Sequence, residues 1–227
     1  MKIKDFNYKI VLFSFTVLLL SASALLAEPV APDRALELLK NGNDRFVAGK
    51  SEHPRQGKER INEVAAGQNP FAIIVGCSDS RVPNEIIFDQ GLGDLFIVRT
   101  AGQVSAAASY GSIEFAEEVL GAKLIVVLGH SKCGAVAAAC QYEKEVPGHI
   151  ITLVNAIKPA VKRVELKNLP VEKRLEATVR ENVIYQVEQL RSLEPLLARR
   201  IREKSIKIVG AIYDLATGKV EFIPETL

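Results

Sequence analysis

Apolar residues along this chain follow two rhythms. In Phe71 to Val75 and Leu124 to Leu128 every position is apolar, the pattern of strands covered by helices on both faces. Asp94 to Val98, with Leu95-Phe-Ile-Val98 at its heart, gives another strand. Around these lie segments of helical spacing: Pro32 to Val47, with Leu36, Leu39 and Phe46; Gly57 to Ala66; and Lys132 to Tyr142. Ser105 to Leu120 reads as a helix with Tyr110, Ile113, Val119 and Leu120 on one face, stopped by Gly121. Ile150 to Val164 is helical, with Pro159 expected to kink or divide it. Glu172 to Leu190 sets Leu175, Val179, Val183 and Val187 at four-residue steps, a one-sided stripe. The charged run Arg199 to Lys204 reads as a solvated helix face. Ser205 to Tyr213 is a last strand, and a turn at Asp214 to Gly218 leads into Lys219 to Ile223, completing a hairpin. Strands alternating with helices predict an α/β fold, a single domain with a mainly parallel central β-sheet flanked by helices.

The amino terminus stands apart from this pattern. Lys2, Lys4 and Lys9 precede an apolar run from Ile10 to Leu20, and small residues follow in Ala22-Ser-Ala24 and Leu25-Leu-Ala27. That is the three-part layout of a secretory signal peptide, so residues 1–27 are expected to be a signal and 28–227 the folded domain. An uncleaved anchor is the alternative, but the run is short against the roughly 20 residues that a spanning helix needs. The reading is therefore an exported protein, periplasmic or secreted, with no stable membrane insertion after cleavage. Lys2, Lys4 and Lys9 against Asp5 account for the whole net charge of +2, leaving the rest of the chain balanced. Without a basic patch interleaved with aromatics, no nucleic-acid partner is expected.

Chemistry concentrates in two segments, each just after an apolar strand. Val75-Gly-Cys-Ser-Asp-Ser-Arg-Val82 supplies Cys77, Asp79 and Arg81, and Gly129-His-Ser-Lys-Cys-Gly134 supplies His130 and Cys133. Two thiols and an imidazole at the carboxyl ends of neighbouring strands can share one metal ion, and that edge is where open α/β sheets form sites. Sulfur with imidazole nitrogen suits zinc, and three protein ligands leave one position for water or substrate, the arrangement of a catalytic site. Three cysteines are too few for a disulfide framework. Cys140 reads as a buried structural cysteine among the surrounding alanines. His53 reads as a solvated loop residue, and His149 as a capping or surface residue at a helix start.

Cys77-Ser-Asp-Ser-Arg81 together with Gly129-His-Ser-x-Cys-Gly134 resembles the β-class carbonic anhydrases, and so does the Leu-x-x-Gly-Asn-x-Arg-Phe pattern from Leu39 to Phe46. The resemblance implies zinc held by Cys77, His130 and Cys133, and an Asp79–Arg81 pair beside it. It implies hydration of carbon dioxide to bicarbonate by a zinc-bound water acidified enough to supply hydroxide. Asp79 would orient that nucleophile while Arg81 held Asp79 off the metal. It further places Gln68, Phe96 and Phe115 in the substrate pocket, partly across a subunit boundary, and implies a homodimer or a multiple of dimers. Phe115 stands where many relatives carry tyrosine. Some relatives have an inhibitory bicarbonate pocket needing a tryptophan three residues before the first cysteine; this chain has Ile74 there and no tryptophan, so that regulation is not expected. The motifs do not separate carbon dioxide from sulfur analogues such as carbon disulfide or carbonyl sulfide. A structural zinc would require a fourth protein ligand, for which Asp79 is the first candidate and Cys140 the second.

Overall fold

The computed structural model describes residues 28–142 and 146–227; the expected signal peptide lies outside them. One sheet contains β1 Ala72–Cys77, β2 Leu95–Thr100, β3 Leu124–His130, β4 Lys207–Tyr213 and β5 Val220–Phe222. The strand order is β2-β1-β3-β4-β5. β1 to β4 are mutually parallel, and β5 closes the predicted hairpin by pairing antiparallel with β4. The helices are α1 Pro32–Val47, α2 Lys58–Val64, α3 Asn84–Ile87, α4 Ala107–Glu118, α5 Gly134–Gln141, α6 Ile150–Glu165, α7 Val171–Arg191 and α8 Leu197–Arg202.

Strand alternation divides the core between the two faces of the sheet. Ala72 and Ile74 of β1 and Leu124, Val126 and Leu128 of β3 pack with Leu36 and Leu39 of α1 and with Ile87 and Phe88 around α3. Their neighbours Ile73, Val75, Ile125 and Val127 face the other way, onto Ile113 of α4, Val183, Val187 and Leu190 of α7, and Leu197 of α8. A third cluster caps the carboxyl end of the sheet, where Cys77 and Cys133 meet Val136 of α5, Val154 and Ile157 of α6, and Val179 of α7.

The amino-terminal pattern from Leu39 to Phe46 proves to be a joint. A side chain at Gly42 would sit 1.8 Å from the Phe88 carbonyl oxygen, so only glycine allows α1 to approach so closely. Asn43 donates from Nδ2 to the carbonyls of Ile87 and Gly218, while its Oδ1 accepts from the Val220 amide. Arg45 reaches the carboxylate of Asp89 at 2.6 Å, and the same buried carboxylate accepts the amides of Glu52 and His53. One helix face therefore ties the terminal hairpin to the loop after α3.

Four expectations change. β1 and β3 run to Cys77 and His130, so those two residues end the strands instead of following them. Pro159 sits inside α6 without dividing it. It removes one backbone hydrogen bond, whereas Val154, Ile157, Ala160, Val161 and Val164 are buried along the helix and hold it in place. The run Arg199 to Lys204 is not simply a solvated helix face: α8 ends at Arg202, Leu197 and Ala198 at its start are buried, and Arg200 binds Glu117 and Glu118 of α4. α3, too short for any periodicity, was not anticipated. Among the described residues no helix is long and apolar enough to cross a membrane.

Candidate metal centre

The strand order places a reversal at β1 and β3. From β1 the chain moves outward to β2, and from β3 it moves the opposite way to β4. Connections leaving these two strands diverge, which opens a crevice at the carboxyl edge between them. Alternation assigns Cys77 and His130 to opposite faces, but each is the last residue of its strand and both converge past the edge. Cys133 completes the group from the residue immediately preceding α5.

The donor atoms of Cys77, His130 and Cys133 all lie within 4.8 Å of one another, and all three residues are buried. His130 Nδ1 is 3.0 Å from the Ser131 carbonyl oxygen. A carbonyl only accepts, so Nδ1 carries the proton and Nε2 presents a lone pair. That buried Nε2 has no hydrogen-bond partner among the described residues. An orphaned imidazole nitrogen facing two buried thiols is a donor set that fits zinc, with three protein ligands and a fourth position free.

The charges point the same way. Cys77 is pulled well below the usual thiol range, first by a hydrogen bond from the Cys133 thiol, then by His130 and the amides of Gly102 and Asp79. Cys133 is pushed up by its contact with the Cys77 sulfur and by burial. Burial pushes the His130 imidazole down, but the Cys77 thiolate, the Ser131 carbonyl and Asp79 outweigh it and the net direction is up.

Asp79 stands at the rim. Arg81 donates from Nε to its Oδ1 at 2.9 Å and from Nη2 to its Oδ2 at 2.7 Å, and the Arg81 amide adds a bond to Oδ1 at 3.0 Å. This grip holds the carboxyl far below the usual carboxylate range. Oδ1 takes two donors and Oδ2 only one, so Oδ2 keeps a lone pair, and it lies 3.7 Å from His130 Nε2. The sequence reading missed the residue that fixes this loop. Arg99 of β2 donates to the carbonyls of Cys77 at 2.9 Å and Asp79 at 2.6 Å, and the Ser78 amide donates to Thr100. Behind the site the Gly102 amide donates to Cys77 Sγ at 3.3 Å, and Asn182 of α7 binds the Gly102 carbonyl. A charged residue near the end of an otherwise apolar strand, as Arg99 is in β2, was the available signal for the first; nothing local flags Asn182.

The remaining expected residues lie elsewhere. Phe96 pairs with Ile73 while Cys77 pairs with Thr100, which puts Phe96 four residues back on the same face, about 13 Å from Cys77 along the strand. Gln68 is exposed in the segment leading into β1, and Phe115 is half exposed near the end of α4. Cys140 is exposed, correcting the expectation of a buried cysteine: α5 turns Val136 and Ala139 inward and leaves Cys140 on its outer side. His53 is exposed as expected, and His149 is exposed at the start of α6 without a side-chain capping bond.

A family model described as carbonic anhydrase matches residues 72–220. A carbonic anhydrase of Mycolicibacterium smegmatis is 45% identical over 193 residues, covering 84% of this chain and 92% of that protein. Carbonic anhydrase 2 of Mycobacterium tuberculosis is 44% identical over 191 residues, covering 83% and 91%. Among solved structures, the β-carbonic anhydrase CafA of Aspergillus fumigatus superposes with a TM-score of 0.63 at 32% identity, covering 85% of this chain and 91% of that one. A tetrameric β-carbonic anhydrase from Sordaria macrospora shares the fold, with a TM-score of 0.67 at 24% identity over 84% of this chain and 98% of that one.

Proposed function

The chain belongs to the β-class carbonic anhydrase family, and we infer that it catalyses the reversible hydration of carbon dioxide to bicarbonate and a proton, using zinc held by Cys77, His130 and Cys133. The observation that carries this is the buried donor set, two sulfurs and an unpartnered Nε2, at the crevice between β1 and β3. Zinc bound there supplies a Lewis acid that acidifies a water near neutral pH.

The chain's own residues supply the rest. Asp79 stays ionised because Arg81 occupies it from one side. The spare lone pair on Oδ2 accepts a hydrogen bond from the attacking nucleophile and turns the nucleophile's own lone pair toward carbon dioxide. The two-pronged contact with Arg81 also keeps the carboxylate from swinging inward to become a fourth ligand. Arg99, holding the carbonyls on either side of Ser78, fixes the path of the loop that carries both Cys77 and Asp79.

Three finer elements belong to the same reading. The signal-like pattern of residues 1–27 supports export, to a periplasm or beyond the cell. The assembly is a homo-oligomer built from dimers, in keeping with the tetrameric enzymes from Sordaria macrospora. The family resemblance puts Gln68, Phe96 and Phe115 in the substrate pocket, partly across a subunit boundary; within one chain Phe96 pairs with Ile73, four residues before Cys77. Stopped-flow carbon dioxide hydration tests the activity: stripping the metal abolishes it and adding zinc back restores it, whereas a rate indifferent to zinc would refute the reading.

A further inference from the structure

Asn182 is fully buried on α7, beside Val179 and Val183. An amide in that position is costly unless it is used, because a buried polar group needs a partner to offset its lost hydration. Its Nδ2 donates to the Gly102 carbonyl at 3.0 Å. Gly102 in turn is the residue whose amide donates to Cys77 Sγ at 3.3 Å. At Gly102 the backbone adopts φ 73° and ψ 18°, the left-handed region that favours glycine. A side chain there would stand 2.8 Å from Ile157 Cδ1 and 3.2 Å from Ala135 Cβ. The residue therefore has no anchor of its own beyond its main chain, and the bond from α7 holds its carbonyl end while its amide end meets the sulfur.

We propose that Asn182 is a positioning residue for the metal group, acting through Gly102 to aim an N–H at the Cys77 sulfur. It never touches the ion. Its effect is on where the sulfur sits and on how much of its lone-pair density is held by a fixed donor, the kind of outer contact that orients and tunes a ligand. α7 packs on β3 and β4 and also against α6, so through Asn182 the helical half of the molecule gains a direct hold on a sulfur at the end of β1. This rests on Cys77 being a zinc ligand.

The test uses the full zinc protein and two readouts that bulk stability does not move: zinc affinity by chelator competition, and the sulfur-to-metal absorption band of the cobalt-substituted protein. Asn182→Leu keeps the branched shape and removes the donor; Asn182→Ser serves if the bulkier leucine variant does not fold. Val187→Ala, a buried change further along α7 outside the metal group, controls for loosened packing. The expected result is a fall in zinc affinity of about 10-fold or more in the Asn182 variant. Its cobalt band moves to longer wavelength because the sulfur lone pairs lose a stabilising proton, while Val187→Ala lowers the melting temperature and changes neither readout. An Asn182 variant that binds zinc within about twofold of the parent, with its band unmoved, overturns the proposal, and so does a Val187→Ala protein showing the same shifts. A parent that binds no zinc would instead overturn the metal reading beneath it.

Discussion

Arg81 meets Asp79 edge to edge, its Nε and Nη2 lying 2.9 and 2.7 Å from the two carboxylate oxygens, while its own amide adds a third contact to Oδ1. The pair is only two residues apart and partly exposed. As a surface ion pair it would contribute little to stability. Its geometry matters for another reason: it leaves one lone pair of Asp79, on Oδ2, pointing toward the metal group.

Asp79→Asn should therefore spare the metal and remove the chemistry. Zinc content stays near that of the parent, and carbon dioxide hydration falls by about a hundredfold or more, the scale of losing a positioned proton acceptor. Metal analysis and stopped-flow hydration on the same preparation check this. Hydration within threefold of the parent would show that Asp79 is a bystander.

Arg81→Lys should behave differently from a conservative change. A lysine ammonium lacks the two-pronged fork, so the carboxylate is free to turn toward the metal. Hydration is expected to drop by about tenfold or more with zinc retained. Replacing the fork also lets the Asp79 carboxyl rise toward its ordinary range, since hydrogen bonding by Arg81 is the largest cause of its depression. A lysine variant with parental rates would contradict the gripping role.

Two thiolates cancel the charge of a zinc ion, and a neutral site acidifies its water less than a cationic one. The hydration rate should therefore climb with pH on the alkaline side of neutrality. A profile flat between about pH 6.5 and about pH 9 would contradict that charge balance.

Arg45 and Asp89 give a stability prediction away from the chemistry. The Asp89 side chain is 1% exposed and Arg45 contacts it at 2.6 Å. Burial pushes the Asp89 carboxyl up, but the amides of Glu52 and His53 and the Arg45 guanidinium prevail, and its net direction is down. A folded value below the unfolded one means the contribution is complete above about pH 4 and is lost as pH falls through the folded value. Asp89→Asn should cost about 2 kcal/mol or more at neutral pH, with the gap to the parent closing in acid. Urea unfolding at both pH values measures it, and a gap that widens in acid would overturn the assignment.

Much of this was readable in the chain because the informative residues are adjacent to strong local patterns. β1 and β3 are uninterrupted apolar runs, and Cys77 and His130 end them, so strand, edge and donor could be located together. The Asp79–Arg81 pair was legible for a similar reason, since a spacing of two lets a loop bring the side chains together. Gly42, Asn43 and Arg45 were visible as a pattern but not as a joint, because their partners, Phe88, Val220 and Asp89, are brought near only by the fold. Asn182 was hidden beside a valine stripe, its partner 80 residues away. Cys140 was misplaced because alanines surround it, and a helix of small residues does not declare which side faces inward.

The most direct measurement is stopped-flow carbon dioxide hydration on the parent protein and on Cys133→Ser, with zinc determined on each sample. The account predicts close to one zinc per chain and rapid hydration in the parent, and the loss of both together in the variant. A parent that carries its zinc through Cys77, His130 and Cys133 yet shows no hydration at about pH 8.5 would contradict it.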